Sequence, residues 1–283
     1  KVGGPAEIFF QPEDEDDLSF FLKNLETNIP VFVIGACSNL IIRDGGIPGV
    51  VIKLGKNFST IKLNKTVVSV GAACRDSYLA QTCAKEGVDL SFLRTIPGNL
   101  GGAVKMNAGC YGSYLSDYLI GLTLIRRDGS IADMKASDFK FGYRNSNIPD
   151  DAIITNVLLR KELDDPSRIE MKMTRALDIR NLSQPTKDLS CGSTFRNPLG
   201  RSSLEDKYDN DHSLKAWKLI DDAGLRGAKI GGAMVSKKHT NFLINTGNAT
   251  AKDIEDLGKF VIKKVKTNSG INLIWEVKRV GKY

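Results

Sequence analysis

Histidine, cysteine, tryptophan and proline are all scarce in this 283-residue chain, and the first two scarcities remove classes of function. The only histidines, His212 and His239, have no matching cysteine or acidic spacing around them, so neither a zinc site nor any other metal is expected. Five cysteines, Cys37, Cys74, Cys83, Cys110 and Cys191, form no CxxC pair and no dense disulfide framework. Their odd count leaves at least one thiol without an intrachain partner, which fits a reducing cytosolic compartment. No apolar run approaches the roughly 18 residues of a membrane span, and no charged leader precedes a cleavage site. The chain opens at Lys1 without an initiator methionine, so a few preceding residues are expected to be absent. GxGxxG, GxxxxGK and GxSxG are all missing, which sets aside a dinucleotide fold, a P-loop and a serine-hydrolase elbow.

What is present describes a folded protein with room for two domains or three small lobes. Apolar residues make up 41% and charged residues 26%, inside the range of globular chains. The net charge of +7 suits nucleic acid, an acidic membrane or an anionic small molecule, but the basic residues are scattered among acidic ones with no basic tail.

Acids at Glu13 to Asp17 precede Leu18, Phe21, Leu22 and Leu25, one apolar helix face with negative charge at its positive end. Val31 to Ile34 and Val50 to Leu54 read as strands, giving a β-α-β beginning. A short helix through Leu79 and Cys83 ends at Gly87, and further strands fit Gly121 to Arg126 and Ile153 to Leu159. Pro166 to Leu182 predicts a connecting helix with Ser167 as its cap. A helix through Leu214, Trp217, Leu219 and Ile220 stops near Gly224. Thr250 with Asp253 offers a capping box for a stripe of Ile254, Leu257, Val261 and Val265, and LIWEVKRVG alternates as a final strand.

Two segments are candidates for holding an anion. Gly35-Ala36-Cys37-Ser38-Asn39 follows a strand, and a tight turn there either aims backbone N–H groups at phosphate or is structural. Ile96 to Gly112 carries five glycines and one proline in 17 residues, a loop costly to order unless a flat cofactor, a pyrophosphate or other protein packs on it. Tyr143 and Arg144 in FGYRNS suit an anion, because guanidinium pairs with a carboxylate in two hydrogen bonds. Ser193 in CGSTFRNP either faces a pocket or stabilises a turn. Glu276 alternates with Trp275 and Val277 and either serves the site or faces solvent. Cys191 lacks a base and reads as a packing residue.

In their order, VGGPA, VIGACSNLIIRDGG, FLRTIPGNLGGAVKMNAGCYG, FGYRNS, CGSTFRNP, GLRGAKIGGAMVSKKHTNFLIN and IWEVKRVG resemble the UDP-N-acetylenolpyruvoylglucosamine reductase (MurB) family of flavoenzymes, most of all its shorter type II form. The resemblance implies an α+β protein. An FAD-binding domain of the vanillyl-alcohol-oxidase/PCMH type would fill residues 1–165, in two lobes of about 1–55 and 56–165. A connecting helix and linker would fill 166–190, and an α+β substrate-binding domain 191–283, with the terminal strand reaching the active site. Ile34, Gly35, Ala36, Cys37, Ser38 and Asn39, with Ile96, Pro97, Gly98, Gly101 and Gly102, would approach tightly bound FAD.

The same resemblance implies that NADPH reduces FAD and leaves, after which the enolpyruvyl ether of UDP-N-acetylglucosamine receives hydride and becomes UDP-N-acetylmuramate. Ser193 would donate the proton, Arg144 would hold the substrate carboxylate and Glu276 would orient or polarise the site. Tyr111, Tyr143, Asn197 and His239 would lie on the substrate side. The implied setting is cytoplasmic peptidoglycan precursor synthesis in a bacterium, with no nucleic-acid or membrane partner; the oligomeric state stays open, with a monomer the working expectation. Ala36, Cys37 and Thr95 stand where the family commonly has glycine, Cys191 replaces a small residue, and Ser183 stands where some relatives place a substrate-binding lysine. Two competing readings remain: the same flavin fold oxidising an alcohol or sugar with oxygen, and a nucleotide- or nucleic-acid-binding module. NADPH dependence with strict need for an enolpyruvyl substrate separates the first; flavin-free binding with a steep salt slope marks the second.

Overall fold

The computed structural model describes residues 2–199 and 212–283. The chain forms two compact units that interleave along the sequence. The larger holds Ile8–Ala36 and Gly49–Asp178, and the smaller holds Lys1–Glu7, Cys37–Pro48 and Ile179–Tyr283. The compact units are therefore not the contiguous stretches drawn from the sequence. The physical reason is a strand pairing: Leu40–Ile42 runs parallel to Lys278–Val280, so an early segment completes its hydrogen bonds only with the end of the chain.

In the larger unit, helix α1 (Glu15–Asn24) is capped by Asp14, whose carboxylate accepts from the Asp17 amide, and Glu15, Asp16 and Asp17 place negative charge at its positive end. Leu18 and Leu22, one turn apart, bury fully against Val50, Ile52, Ile125 and Ile153. Val31–Ile34 pairs in parallel with Val50–Lys53, and because α1 precedes both strands, no helix links this pair. A five-stranded antiparallel sheet has the order Ile131–Lys135, Leu119–Ile125, Ile153–Arg160, Val67–Gly71, Ile61–Leu63. Helices α2 (Asp76–Lys85) and α3 (Leu100–Lys105) pack on it through Leu79, Cys83, Leu100 and Val104. Gly87, at φ 67°, turns the chain beyond the end of α2, as expected. Helix α4 (Pro166–Ser183) begins with proline, and its cap is Asp165, whose carboxylate accepts from the Ser167 and Arg168 amides. Ser167 is thus inside the helix, displaced as cap by the stronger acceptor two residues earlier.

In the smaller unit, a four-stranded antiparallel sheet has the order Leu189–Ser190, Leu243–Asn245, Ala233–Val235, Lys229–Ile230. Helix α5 (Ala216–Asp222) and helix α6 (Ala251–Ser269) share its core. The α6 capping box is reciprocal between Thr250 and Asp253, Gly270 ends the helix at φ 75°, and Ile254, Leu257, Val261 and Val265 are all buried. The final strand is shorter than expected, Lys278–Val280 alone. Residues 274–277 instead pair irregularly with the segment around Phe195, through an isolated Phe195–Trp275 bridge. None of the five cysteines is in a disulfide. Among the described residues, no helix is long and apolar enough to cross a membrane, and no cluster of three or more potential ligands could hold a metal.

Candidate active site

The larger unit brings two of the glycine-bearing segments together. Gly35 lies so close to Asn99 that a Cβ there would sit 2.9 Å from Asn99 Oδ1. Asn99 in turn donates to the Ala73 carbonyl at 2.6 Å, and the Leu100 and Gly101 amides donate to Cys74 and Ala72. These bonds clamp the loop before α3 onto the turn leading into α2. Gly98 holds φ 144°, a conformation L side chains rarely adopt, and the space where a Gly102 Cβ would lie is open. Gly35, Ala36, Pro97 and Gly102 are exposed, whereas the Ile96 side chain packs on the core. An exposed backbone stretch with glycine or small residues at Gly35, Ala36 and Gly102 fits a flat or diphosphate-bearing ligand, and FAD has both parts.

In the same unit, Tyr143 and Arg144 form the tip of a hairpin between Phe141–Gly142 and Asn145–Ser146. The Arg144 guanidinium donates to the Gly109 carbonyl at 3.1 Å and lies 5.2 Å from the Tyr143 ring centre. Tyr111 adopts φ 56° and donates its hydroxyl to the Ala176 carbonyl of α4 at 2.9 Å. Thr95 is buried with its hydroxyl 3.5 Å from Cys110 Sγ, so the side chain that replaces glycine there points at a thiol.

The smaller unit gathers Cys37, Ser38, Asn39, Ser193 and Glu276. Cys37 adopts φ 55°, the backbone that makes glycine the easier occupant of this turn. The Ser38 carbonyl lies 4.0 Å from the position a Gly192 Cβ would take, and Cys191 Sγ reaches the Leu40 carbonyl at 3.1 Å. Asn39 holds the terminal segment twice: its carbonyl accepts from the Lys278 amide, and its side-chain amide donates to the Glu276 carbonyl. Thr194 accepts the Glu276 amide at 2.8 Å, which sets the Ser193 and Glu276 backbones side by side. Burial pushes the Cys191 thiol upward, consistent with a packing role.

Sequence reasoning missed Asn241. It is 4% exposed, accepts the Phe195 amide and donates to the Phe195 carbonyl, both at 2.9 Å, so it fixes the Ser193 segment like a strand neighbour. The signal available was an asparagine directly before the apolar run FLIN, where an unpaired amide would be costly. Asn197 and His239 lie toward α5. The Asn197 side chain accepts the Ala216 amide at 3.1 Å. His239 is edge-on to Phe242 at 4.9 Å, its Nδ1 accepts the Asn241 amide, and burial pushes its imidazole down to about 4. It is therefore neutral at pH 7.

Family models match both parts of the chain: an FAD binding domain over residues 6–135, and the C-terminal domain of UDP-N-acetylenolpyruvoylglucosamine reductase over residues 184–280. The UDP-N-acetylenolpyruvoylglucosamine reductase of Paracoccus denitrificans is 52% identical over 282 residues, covering 100% of this chain and 92% of that protein. That of Cereibacter sphaeroides is 51% identical, covering 99% and 91%. The crystal structure of the enzyme from Thermus caldophilus superposes with a TM-score of 0.82 at 33% identity, over 99% of this chain and 94% of that one. With full-length identity at this level and agreement in fold, the chain belongs to the UDP-N-acetylenolpyruvoylglucosamine reductase family.

Proposed function

We propose that the chain uses NADPH to reduce the enolpyruvyl ether of UDP-N-acetylglucosamine to UDP-N-acetylmuramate, in peptidoglycan precursor synthesis. The observation that supports this reading most is the hydrogen bonding of residues 194–196 to 274–277, which joins the segment that follows Ser193 to the one that carries Glu276 in a chain half identical to named reductases. Ile34, Gly35 and Ala36, Cys37, Ser38 and Asn39, and the ridge at Ile96, Pro97, Gly98, Gly101 and Gly102 are the residues that would hold FAD. When bound, FAD would supply the two-electron chemistry of the reduction.

Arg144 binds the substrate carboxylate and offsets the negative charge that develops as the double bond is saturated. A guanidinium suits this better than an ammonium because its fork matches both carboxylate oxygens. Ser193 Oγ delivers a proton to the adjacent carbon. A serine hydroxyl is a weak acid, so the step relies on a short, preorganised contact and on stabilisation of the developing charge. Glu276 orients and polarises the reacting group, from a backbone fixed on both sides by Asn39 and Thr194. Tyr143, Tyr111 and Asn197 serve the substrate side, with His239 near the nucleotide sugar.

Stopped-flow measurement on FAD-loaded protein tests the assignment. Ser193→Ala should leave NADPH-driven flavin bleaching at the wild-type rate and slow formation of UDP-N-acetylmuramate by about 100-fold or more, the scale of general acid catalysis. A loss of less than tenfold would remove Ser193 from the role.

A further inference from the structure

Four non-glycine residues among those described hold a left-handed backbone, and three of them, Asn107, Tyr111 and Arg144, sit on two loops of the larger unit. Left-handed backbone is unfavourable for an ordinary L residue, while asparagine tolerates it. Arg144 occupies the third position of its turn, at φ 54°, where glycine is the usual residue. Something outside the turn must hold it there.

Asn107 is 4% exposed and lies between the two loops. Its Oδ1 accepts the Ser116 amide at 3.0 Å, and its Nδ2 donates to the Gly142 carbonyl at 3.2 Å. Gly142 is the first residue of the turn that carries Arg144. One acceptor faces an N–H and one donor faces a C=O, so the amide is used in a single orientation. Lys105 adds a parallel tie, its carbonyl accepting Ser146 Oγ at 2.8 Å and its ammonium donating to the Pro149 carbonyl at 3.0 Å. Arg144 closes the circuit on Gly109, two residues beyond Asn107.

We infer that Asn107 is a positioning residue for Arg144: its side chain braces the 142–145 turn so that the guanidinium is presented to the substrate carboxylate. This rests on the reading of Arg144 given above. A carboxyl group in the same place separates bracing from mere packing. Protonated, it accepts from Ser116 and donates to Gly142; ionised, it can only accept, and it repels the Gly142 carbonyl.

The test is calorimetric titration of UDP-N-acetylenolpyruvoylglucosamine into the oxidised, FAD-loaded protein. Asn107→Asp should bind about tenfold more weakly than wild type at pH 8, with the ratio narrowing as the pH is lowered and the buried carboxyl takes up its proton. Asn107→Gly, which keeps the backbone and loses both bonds, should be weaker at every pH. Adding Asn107→Asp to Arg144→Gln should cost no further affinity. A flat pH ratio for Asn107→Asp, or affinity within twofold of wild type for both single variants, overturns the inference. Additive losses in the double variant do so too, as does loss of flavin along with substrate, which would mark a general role in the fold. If Arg144→Gln alone binds like wild type, the carboxylate reading itself fails and the role of Asn107 falls with it. If Arg144→Gln binds weakly while the Asn107 variants bind normally, only the bracing is wrong.

Discussion

Gly258 sits in the middle of α6, where alanine ordinarily gains about 1 kcal/mol over glycine. Here a Cβ would lie 2.1 Å from Trp275 Cη2 and 2.3 Å from Cζ2. Carbon atoms pack at about 3.5–4.0 Å, so helix or indole must retreat by more than about 1 Å. The indole is held on several sides. Phe195 packs at 5.1 Å between ring centres, the Arg279 guanidinium stands 4.6 Å over its face, and its backbone is bridged to Phe195. Overpacking a core costs roughly 1–3 kcal/mol, and a clash against a rigid ring belongs near the top of that range. After the gain in helix propensity, Gly258→Ala should lose about 2 kcal/mol. At roughly 2–4 °C per kcal/mol, the Tm should fall by about 4–8 °C in calorimetry of the FAD-loaded protein. Trp275 precedes Glu276, so turnover should also drop. An unchanged or higher Tm would refute the reasoning, because helix propensity would then have outweighed the contact.

Two further substitutions read buried carboxyl groups. Asp76 is fully buried, neither of its oxygens has a hydrogen-bond partner, and burial pushes its carboxyl up to about 8. Unfolded, an aspartate titrates near about 3.9, so the folded state binds this proton more tightly and stability falls as pH rises from about 4 to about 8. Asp76→Asn should therefore gain stability relative to wild type across that window and hold a constant gain above it. A difference in Tm that does not change with pH would contradict this. Glu255 is also fully buried, and burial acts to raise its carboxyl, but hydrogen bonds from Arg43 and Tyr283, both at 2.7 Å, prevail and hold it low. Its contribution is present above the unfolded value of about 4.3 and lost as pH falls below it. Glu255→Gln should cost about 3 kcal/mol in urea unfolding at pH 7, with the gap narrowing below pH 4; a cost under about 1 kcal/mol would show the charge to be dispensable.

Much of this was legible in the sequence where one local rule decided the outcome. The α6 stripe and its capping box came through residue by residue, because periodicity and caps act within a few residues. The glycine-rich loop signalled close backbone approach, and Gly101, where a Cβ would lie 3.0 Å from Ala72 Cβ, is such an approach. What stayed hidden depends on distant partners. The alternation in LIWEVKRVG suggested one strand, but residues 274–277 meet an irregular neighbour and only Lys278–Val280 finds a regular one. The cap of α4 went to Asp165 over Ser167, two residues apart, a choice that composition does not rank. Asn107 gave no pattern and Asn241 only a faint one, since a buried amide is satisfied through carbonyls and amides 9 to 46 residues away.

The parallel pairing of Leu40–Ile42 with Lys278–Val280 carries a cost during synthesis. As the chain leaves the ribosome, the larger unit has all its residues once Asp178 has emerged, while residues 37–48 wait for the last few residues to be translated. Until then the strand Leu40–Ile42 is an open edge in the nascent chain, a template for pairing with a neighbouring copy. Premature termination anywhere before Lys278 would make that edge permanent. Such products should be cleared or aggregate rather than persist as a lone flavin-binding fragment.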